Sequence, residues 1–379
     1  MKLLIAPDSF KGTLSAPQAA EIMETAFRRV LPITDAFRLP LGDGGEGTAD
    51  CLIACGGNEV CCDSVDGYGR SVTVRYCIWK ETAAVIDSAS VVPMHADRRE
   101  PGVASSYGLG LAVRDALMRG CREILLALGG TGSNDGGCGL AAALGVRFLD
   151  AAGQEFIPCG DTLDRIVRFD ISPALELLDG ITVRGLCDVT TPFSGPVGAA
   201  RVFAPQKGAD AVEVERLDRN MAYLAGIVEQ ETGIKLNEMA GSGAAGGLGG
   251  GIAAFLGGSL SSGIGTVLEL TGFAERAAEA DLILTGEGCT DEQTLLGKAI
   301  SGVLRGANGT PVVVISGMAK GVSDALVSEG ASAVCATNRV AADFDEVRKN
   351  AAKTLAEEAC NAARLIALGL RLGNEKNGR

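Results

Sequence analysis

The sequence predicts an α/β protein in which a doubly wound parallel-sheet domain is built from both chain ends and a second α/β domain is inserted. Three observations carry this expectation. At both ends, short apolar segments alternate with stretches of helical periodicity, as the strands and covering helices of a parallel sheet do. The middle has a different texture, with segments that alternate like antiparallel strands. At 379 residues the chain is long enough for two or three domains. The first domain is expected from residues 1–59 together with 281–379, and the inserted one from 60–280. Insertion is tolerated where surface loops bring chain ends close, and the cleft between two such domains is the expected active site.

The opening Met1-Lys2-Leu3-Leu4-Ile5-Ala6 is a strand, because its apolar run is too short for a signal peptide before Asp8 interrupts it. Ser15-Ala16-Pro17-Gln18 has the form of a capping box. Ala19, Ile22, Met23, Ala26, Phe27 and Val30 follow at helical spacing until Pro32 stops the run. Residues 36–41 form the second strand and 46–55 the second helix. Residues 60–76 alternate around Asp66-Gly67-Tyr68-Gly69, and 148–156 has the pattern of a hairpin. Buried strands are expected at 124–128, 181–186, 281–284, 311–315 and 331–334. The closing helices are expected at 295–304, 322–328 and 344–368.

Composition narrows the function classes. Apolar residues make up 47% of the chain and aromatics 4%, so Ala, Val, Leu and Ile must fill the core, a mixture that favours α/β structure. A net charge of −13 argues against a nucleic-acid surface, which needs Lys and Arg to neutralise phosphates. The twelve cysteines include no C-x-x-C pair, so reduced, buried thiols and a cytoplasmic setting are expected. Residues 239–268 carry no charge, but they are crowded with glycine, which adds almost no apolar area; buried structure, not a membrane span, is expected there.

The chemistry concentrates in loops after strands. Gly42-Asp43-Gly44-Gly45-Glu46-Gly47-Thr48 holds two carboxylates among four glycines, which suggests a phosphate handled through magnesium. Gly129-Gly130-Thr131-Gly132-Ser133-Asn134-Asp135 and Thr285-Gly286-Glu287-Gly288-Cys289-Thr290-Asp291 repeat the pattern. Ligands of open α/β sheets sit beyond the carboxyl ends of strands, so these loops are expected to converge. Asp8-Ser9-Phe10-Lys11 offers an acid, a hydroxyl and a cation, Cys187-Asp188 another strand-end acid, and Pro205-Gln206-Lys207-Gly208 a lysine in a tight turn.

Other schemes fit poorly. Gly241-Ser242-Gly243-Ala244-Ala245-Gly246 matches G-x-G-x-x-G, yet no good strand precedes it and no acid follows about 20 positions on, so nicotinamide binding is disfavoured. No P-loop is present, since Ala299 follows Lys298 and Glu292 stands where glycine is needed. The single histidine, His95, removes most triad and zinc-hydrolase schemes and is expected to be structural. Acids, lysines and glycine loops suit phosphoryl transfer to a small hydroxyl compound, which needs a metal, cations and an acid near the attacking hydroxyl.

These residues, together with Gln206-Lys207-Gly208-Ala209 and Asp291, Gln293, Gly297 and Lys298, resemble the type I glycerate kinases of bacteria, in order over essentially the whole chain. The resemblance implies a Rossmann-like domain carrying an inserted second domain. It implies an ATP- and Mg2+-dependent kinase acting on D-glycerate, in this group usually at the 2-hydroxyl, in the cytoplasmic breakdown of glyoxylate, glucarate or galactarate. Cys289 and Ala299 depart from the family's usual arginine and proline. The individual roles come from residue type. Asp188 or Asp43 is the expected acid, and Lys11, Lys207 and Lys298 offset charge. Glu46, Asp135, Glu287 and Asp291 are the expected metal carboxylates. Asp8, Ser9, Gly44, Gly45, Gly47, Thr48, Gly130, Ser133, Asn134, Gly286 and Gln293 complete the expected substrate and nucleotide contacts. The alternatives are phosphorylation at the 3-hydroxyl and a nonenzymatic hydroxy-acid sensor.

Overall fold

The computed structural model describes residues 1–94, 98–292, 294–296, 299–338 and 343–377. The chain divides into two compact units. The first comprises Met1–Asp43, Asp50–Gly56 and Ile264–Arg379, and the second Gly44–Ala49 and Gly57–Gly263. The divisions at 57 and 264 differ from the expected 60 and 281. Residues 264–280, assigned by sequence to the insertion, belong to the first unit, because Ile264, Val267, Phe273 and Ala277 fill that unit's core.

The first unit is built on a five-stranded parallel sheet in the order Ala331–Ala336, Val312–Ser316, Leu282–Thr285, Lys2–Ile5 and Asp35–Arg38. Strand side chains alternate between faces, and the core follows that period. Leu3, Ile5, Leu282, Leu284, Val313 and Ile315 pack on one face with Met23 and Phe27 of the helix Ala16–Arg28 and Leu355 and Ala359 of Phe344–Asn377. Leu4, Ala6, Ile283, Val312 and Val314 point the other way, towards Ile300 and Val303 of Ala299–Gly306. The first helix starts where the capping box is expected: Ser15 Oγ accepts from Gln18 N at 3.4 Å and Gln18 Oε1 from Ser15 N at 2.9 Å. It ends at Arg28, before Pro32.

The second unit holds a six-stranded sheet in the order Ser259–Ser261, Thr182–Leu186, Glu123–Ala127, Ala83–Asp87, Ser71–Trp79 and Asn58–Val65. Its first four strands are parallel and its last two form an antiparallel hairpin. The hairpin turns where the sequence suggests, with Asp66 Oδ1 accepting the backbone N–H groups of Tyr68 and Arg70 at 2.9 and 3.0 Å. Arg147–Leu149 and Glu155–Phe156 pair antiparallel, as expected of the second hairpin. Phe148, Phe169 and Phe255 meet edge to face in its core, at ring separations of 5.3 and 5.2 Å about Phe255. The charge-free stretch contains the buried helix Ala244–Leu256, and no helix among the described residues is long and apolar enough to cross a membrane.

Candidate active site

In the first unit, all five parallel strands deliver the residues that follow them to one cavity of about 430 Å³. Asp8 follows Lys2–Ile5, Asp43 follows Asp35–Arg38, Glu287 follows Leu282–Thr285, Met318 follows Val312–Ser316, and Asn338 follows Ala331–Ala336. Connections leave Lys2–Ile5 and Leu282–Thr285 towards opposite edges of the sheet, so the cavity lies at the topological switch point, where α/β sheets bind ligands.

The charges there are unevenly balanced. Asp8 is buried, and its Oδ1 accepts from Ser9 N at 2.6 Å. Burial, and after it the charge of Asp43, pushes the Asp8 carboxyl up to about 7, which leaves it able to exchange a proton near neutrality. Lys11 Nζ stands 3.7 Å from Asp43 Oδ2, and that neighbour raises the lysine's proton affinity. Glu287 is buried with Oε1 accepting from Thr294 Oγ1 at 2.5 Å, and Asp291 lines the same wall. Six of the residues singled out in the sequence, Asp8, Ser9, Lys11, Asp43, Glu287 and Asp291, therefore meet here. Gln293 and Lys298 lie outside the described residues, as does His95.

Gly286 has a packing reason to be glycine. A Cβ at this position would lie 1.8 Å from the carbonyl oxygen of Ile315, and the Gly286 carbonyl accepts the N–H of Asp8 at 2.9 Å.

The second unit holds Gly44, Gly45, Glu46, Gly47 and Thr48. The C-terminal half of this loop is tied down within the unit. Gly47 N and Ala49 N donate to the two carboxylate oxygens of Asp87 at 2.8 and 3.0 Å, and Thr48 Oγ1 donates to Gly45 O at 2.8 Å. Gly45 packs on the next glycine loop, since a Cβ on Gly129 would lie 2.8 Å from its Cα, and Gly130 lies against Glu46. Asp87, which ends the buried strand Ala83–Asp87, was missed in the sequence although its signal, an acid closing an apolar run, is the same one that singled out Asp188.

Asp135 is not available to a metal. It is fully buried, and Ser106 N, Ser106 Oγ, Gly137 N and Gly139 N donate to its two oxygens at 2.7 to 3.2 Å. Three of these donors converge on Oδ2 and one, Gly137 N, on Oδ1, so the carboxylate anchors the surrounding backbone. Nearby, Lys207 is buried with Nζ donating to Ser133 O at 2.5 Å. Burial depresses its proton affinity to about 7, opposed by the charge of Asp135. Ser133 Oγ and Asn134 Oδ1 are buried without hydrogen-bond partners among the described residues. Asp188 accepts from Ser262 Oγ at 2.7 Å and Gly263 N at 3.0 Å.

Among the described residues no three Asp, Glu, His or Cys side chains form a group able to hold a metal ion. A magnesium ion that remains on nucleotide phosphates needs only one or two protein carboxylates, and the crowding of Asp8, Asp43 and Glu287 is negative charge that such an ion would offset.

Comparison with known proteins supplies the family. The profile of the Glycerate kinase family matches residues 3–367. A Bacillus subtilis (strain 168) protein named Glycerate kinase is 36% identical, over 97% of this chain and 98% of its own. An Escherichia coli (strain K12) protein named Glycerate 2-kinase is 34% identical, over 98% and 99%. A crystal structure assigned as glycerate kinase 2 of Salmonella typhimurium LT2 superposes with a TM-score of 0.85 at 34% identity, covering 98% of this chain and 99% of that one.

Proposed function

The chain belongs to the glycerate kinase family, and from this we propose that it transfers the γ-phosphoryl group of ATP to the 2-hydroxyl of D-glycerate, giving 2-phosphoglycerate and ADP. The observation that carries this reading is the switch-point cavity, which combines an acid titrating near neutrality with the lysine Lys11 and the three further carboxylates of Asp43, Glu287 and Asp291. The name of the Escherichia coli relative, Glycerate 2-kinase, supports the choice of hydroxyl.

In the proposed step the substrate hydroxyl oxygen forms a bond to the γ-phosphorus while the bond to the β,γ-bridging oxygen breaks. The hydroxyl proton passes to Asp8. This assignment moves the base from Asp188 or Asp43 to Asp8, because Asp43 is held by Lys11 and Asp188 by Ser262 and Gly263, whereas Asp8, raised to about 7 by burial and by Asp43, can take up a proton near neutrality. Lys11 offsets charge on the transferring group, a function such sites supply electrostatically. Magnesium, when bound, neutralises charge between the phosphates, and Glu287 and Asp291 are the carboxylates that would hold it. A cytoplasmic setting, in which thiols stay reduced, suits the twelve cysteines.

Phosphorus NMR of the protein incubated with ATP, magnesium and D-glycerate tests the reading. The expected products are 2-phosphoglycerate and ADP. Formation of 3-phosphoglycerate would overturn the choice of hydroxyl, and no consumption of ATP would overturn the activity.

A further inference from the structure

The cavity lining divides by chemistry. Asp8, Lys11, Asp43, Glu287, Asp291 and Lys320 supply charge, whereas one face of the helix Phe344–Asn377 supplies Phe344, Val347 and Ala351 at helical spacing. Met318 adds to the apolar wall. Phe344 and Met318 are 58% and 43% exposed, which is unusual for large apolar side chains beside a cavity and leaves their surfaces available for contact. The Phe344 ring lies on the bare backbone of Gly12, where a Cβ would stand 2.8 Å from Cζ.

Asn338 borders the same cavity. Its backbone is pinned, with Asn338 N donating to Gly317 O at 3.0 Å and Thr337 N to Ser316 O at 2.8 Å. Its carboxamide makes no hydrogen bond among the described residues. A carboxamide presents a donor and an acceptor side by side, the complement of the amino group and ring nitrogen on an adenine edge. Guanine presents two acceptors on the corresponding edge, so only half of that pairing can form.

We propose that this end of the cavity is a base subsite, in which adenine lies against Phe344 and Met318 while the Asn338 carboxamide reads its edge. The inference rests on the phosphoryl-transfer reading, since it supposes a nucleotide whose phosphates extend towards Lys11. The cavity volume falls within the range of small-molecule sites, and an apolar wall with one oriented polar group is their usual composition.

Calorimetric titration of the full chain with ADP and with GDP, in the presence of magnesium, tests it. Phe344→Ala is expected to weaken ADP binding about tenfold or more, the effect of removing an aromatic stacking surface. Asn338→Leu is expected to reduce the preference for ADP over GDP by about tenfold. Phe344→Leu keeps apolar volume and guards against loss of folding, which thermal melts of each variant monitor. ADP affinity within about twofold of the parent in both Phe344 variants, with an unchanged ADP-to-GDP ratio in Asn338→Leu, would overturn the subsite. If the parent phosphorylates D-glycerate and this null result is found, the subsite fails while the kinase reading stands. If the parent consumes no ATP but the variants weaken ADP binding as expected, the kinase reading fails and the subsite stands.

Discussion

The carboxylate of Asp87 accepts the backbone N–H of Gly47 at 2.8 Å, and its other oxygen accepts that of Ala49. The glycine-acid loop that dominates the sequence is therefore itself held by an acid, and it is a packed element before it is a binding loop. Hydrogen bonds to a charged group contribute about 1.5–3 kcal/mol each. Asp87→Ala is expected to destabilise the protein by roughly 2–4 kcal/mol, measured by urea unfolding, because one buried and one half-buried donor lose their acceptor.

Asp8→Asn should separate catalysis from stability. Removing a general base is expected to lower kcat by about 10²–10⁴-fold. The folded-state pKa of Asp8, about 7, lies above the ordinary carboxylate value of 3.8. Between those values the folded chain keeps a proton that the unfolded chain has released, so Asp8 favours folding at low pH and this support is lost as pH rises through 7. At pH 8 the asparagine variant is expected to be more stable than the parent, by on the order of 2 kcal/mol, with the difference shrinking towards pH 4. Equal stabilities at both pH values would contradict the raised proton affinity.

Lys207 has the opposite linkage. Its folded-state pKa, about 7, lies below 10.5, so the unfolded chain binds the extra proton between those values and the stability penalty of the buried ammonium is relieved as pH rises from 7. Lys207→Met is expected to be less destabilising at pH 6 than at pH 9, by roughly 2 kcal/mol. Chemical denaturation of both proteins at the two pH values checks the sign.

The ion pair of Lys11 with Asp43 is solvent-exposed on the lysine side, so it adds little to stability. Lys11→Met is expected to shift the unfolding free energy by less than about 1 kcal/mol. The same change is expected to lower kcat/KM about tenfold or more, because a charge aimed at the transferring group acts in the transition state. A proportionate loss of stability and activity would make Lys11 a structural residue.

Gly286→Ala and Gly47→Ala distinguish two reasons for glycine. A Cβ at Gly286 would meet Ile315 O at 1.8 Å, whereas at Gly47, with φ near +90°, nothing lies within 4 Å. The first change is expected to cost more than about 4 kcal/mol or to prevent folding, and the second about 1–2 kcal/mol of backbone strain. Soluble yield and urea midpoints report both.

The alternation of Leu3, Leu4, Ile5 and Ala6, the capping box at Ser15 and Gln18 and the turn at Asp66 were legible in the sequence because each is written in a few consecutive residues. Fold class followed from the order of such elements. The placement of Asp8, Lys11, Asp43, Glu287 and Asp291 was legible in outline, since each follows a recognisable strand. Asn338 and Phe344 were not, for no local pattern marks a cavity wall assembled from separate segments.

By itself, the sequence determined that a parallel sheet gathers acids and lysines at its strand ends, because strand, helix and turn signals act over short range. Tertiary structure decided what those groups can do. Asp135 became a satisfied structural anchor through Ser106, and Asp8 gained its proton affinity from burial and from Asp43. Gly286 became a packing residue through Ile315. Desolvation, charge proximity and close backbone approach are set by residues far apart in the chain, so only the folded molecule fixes them.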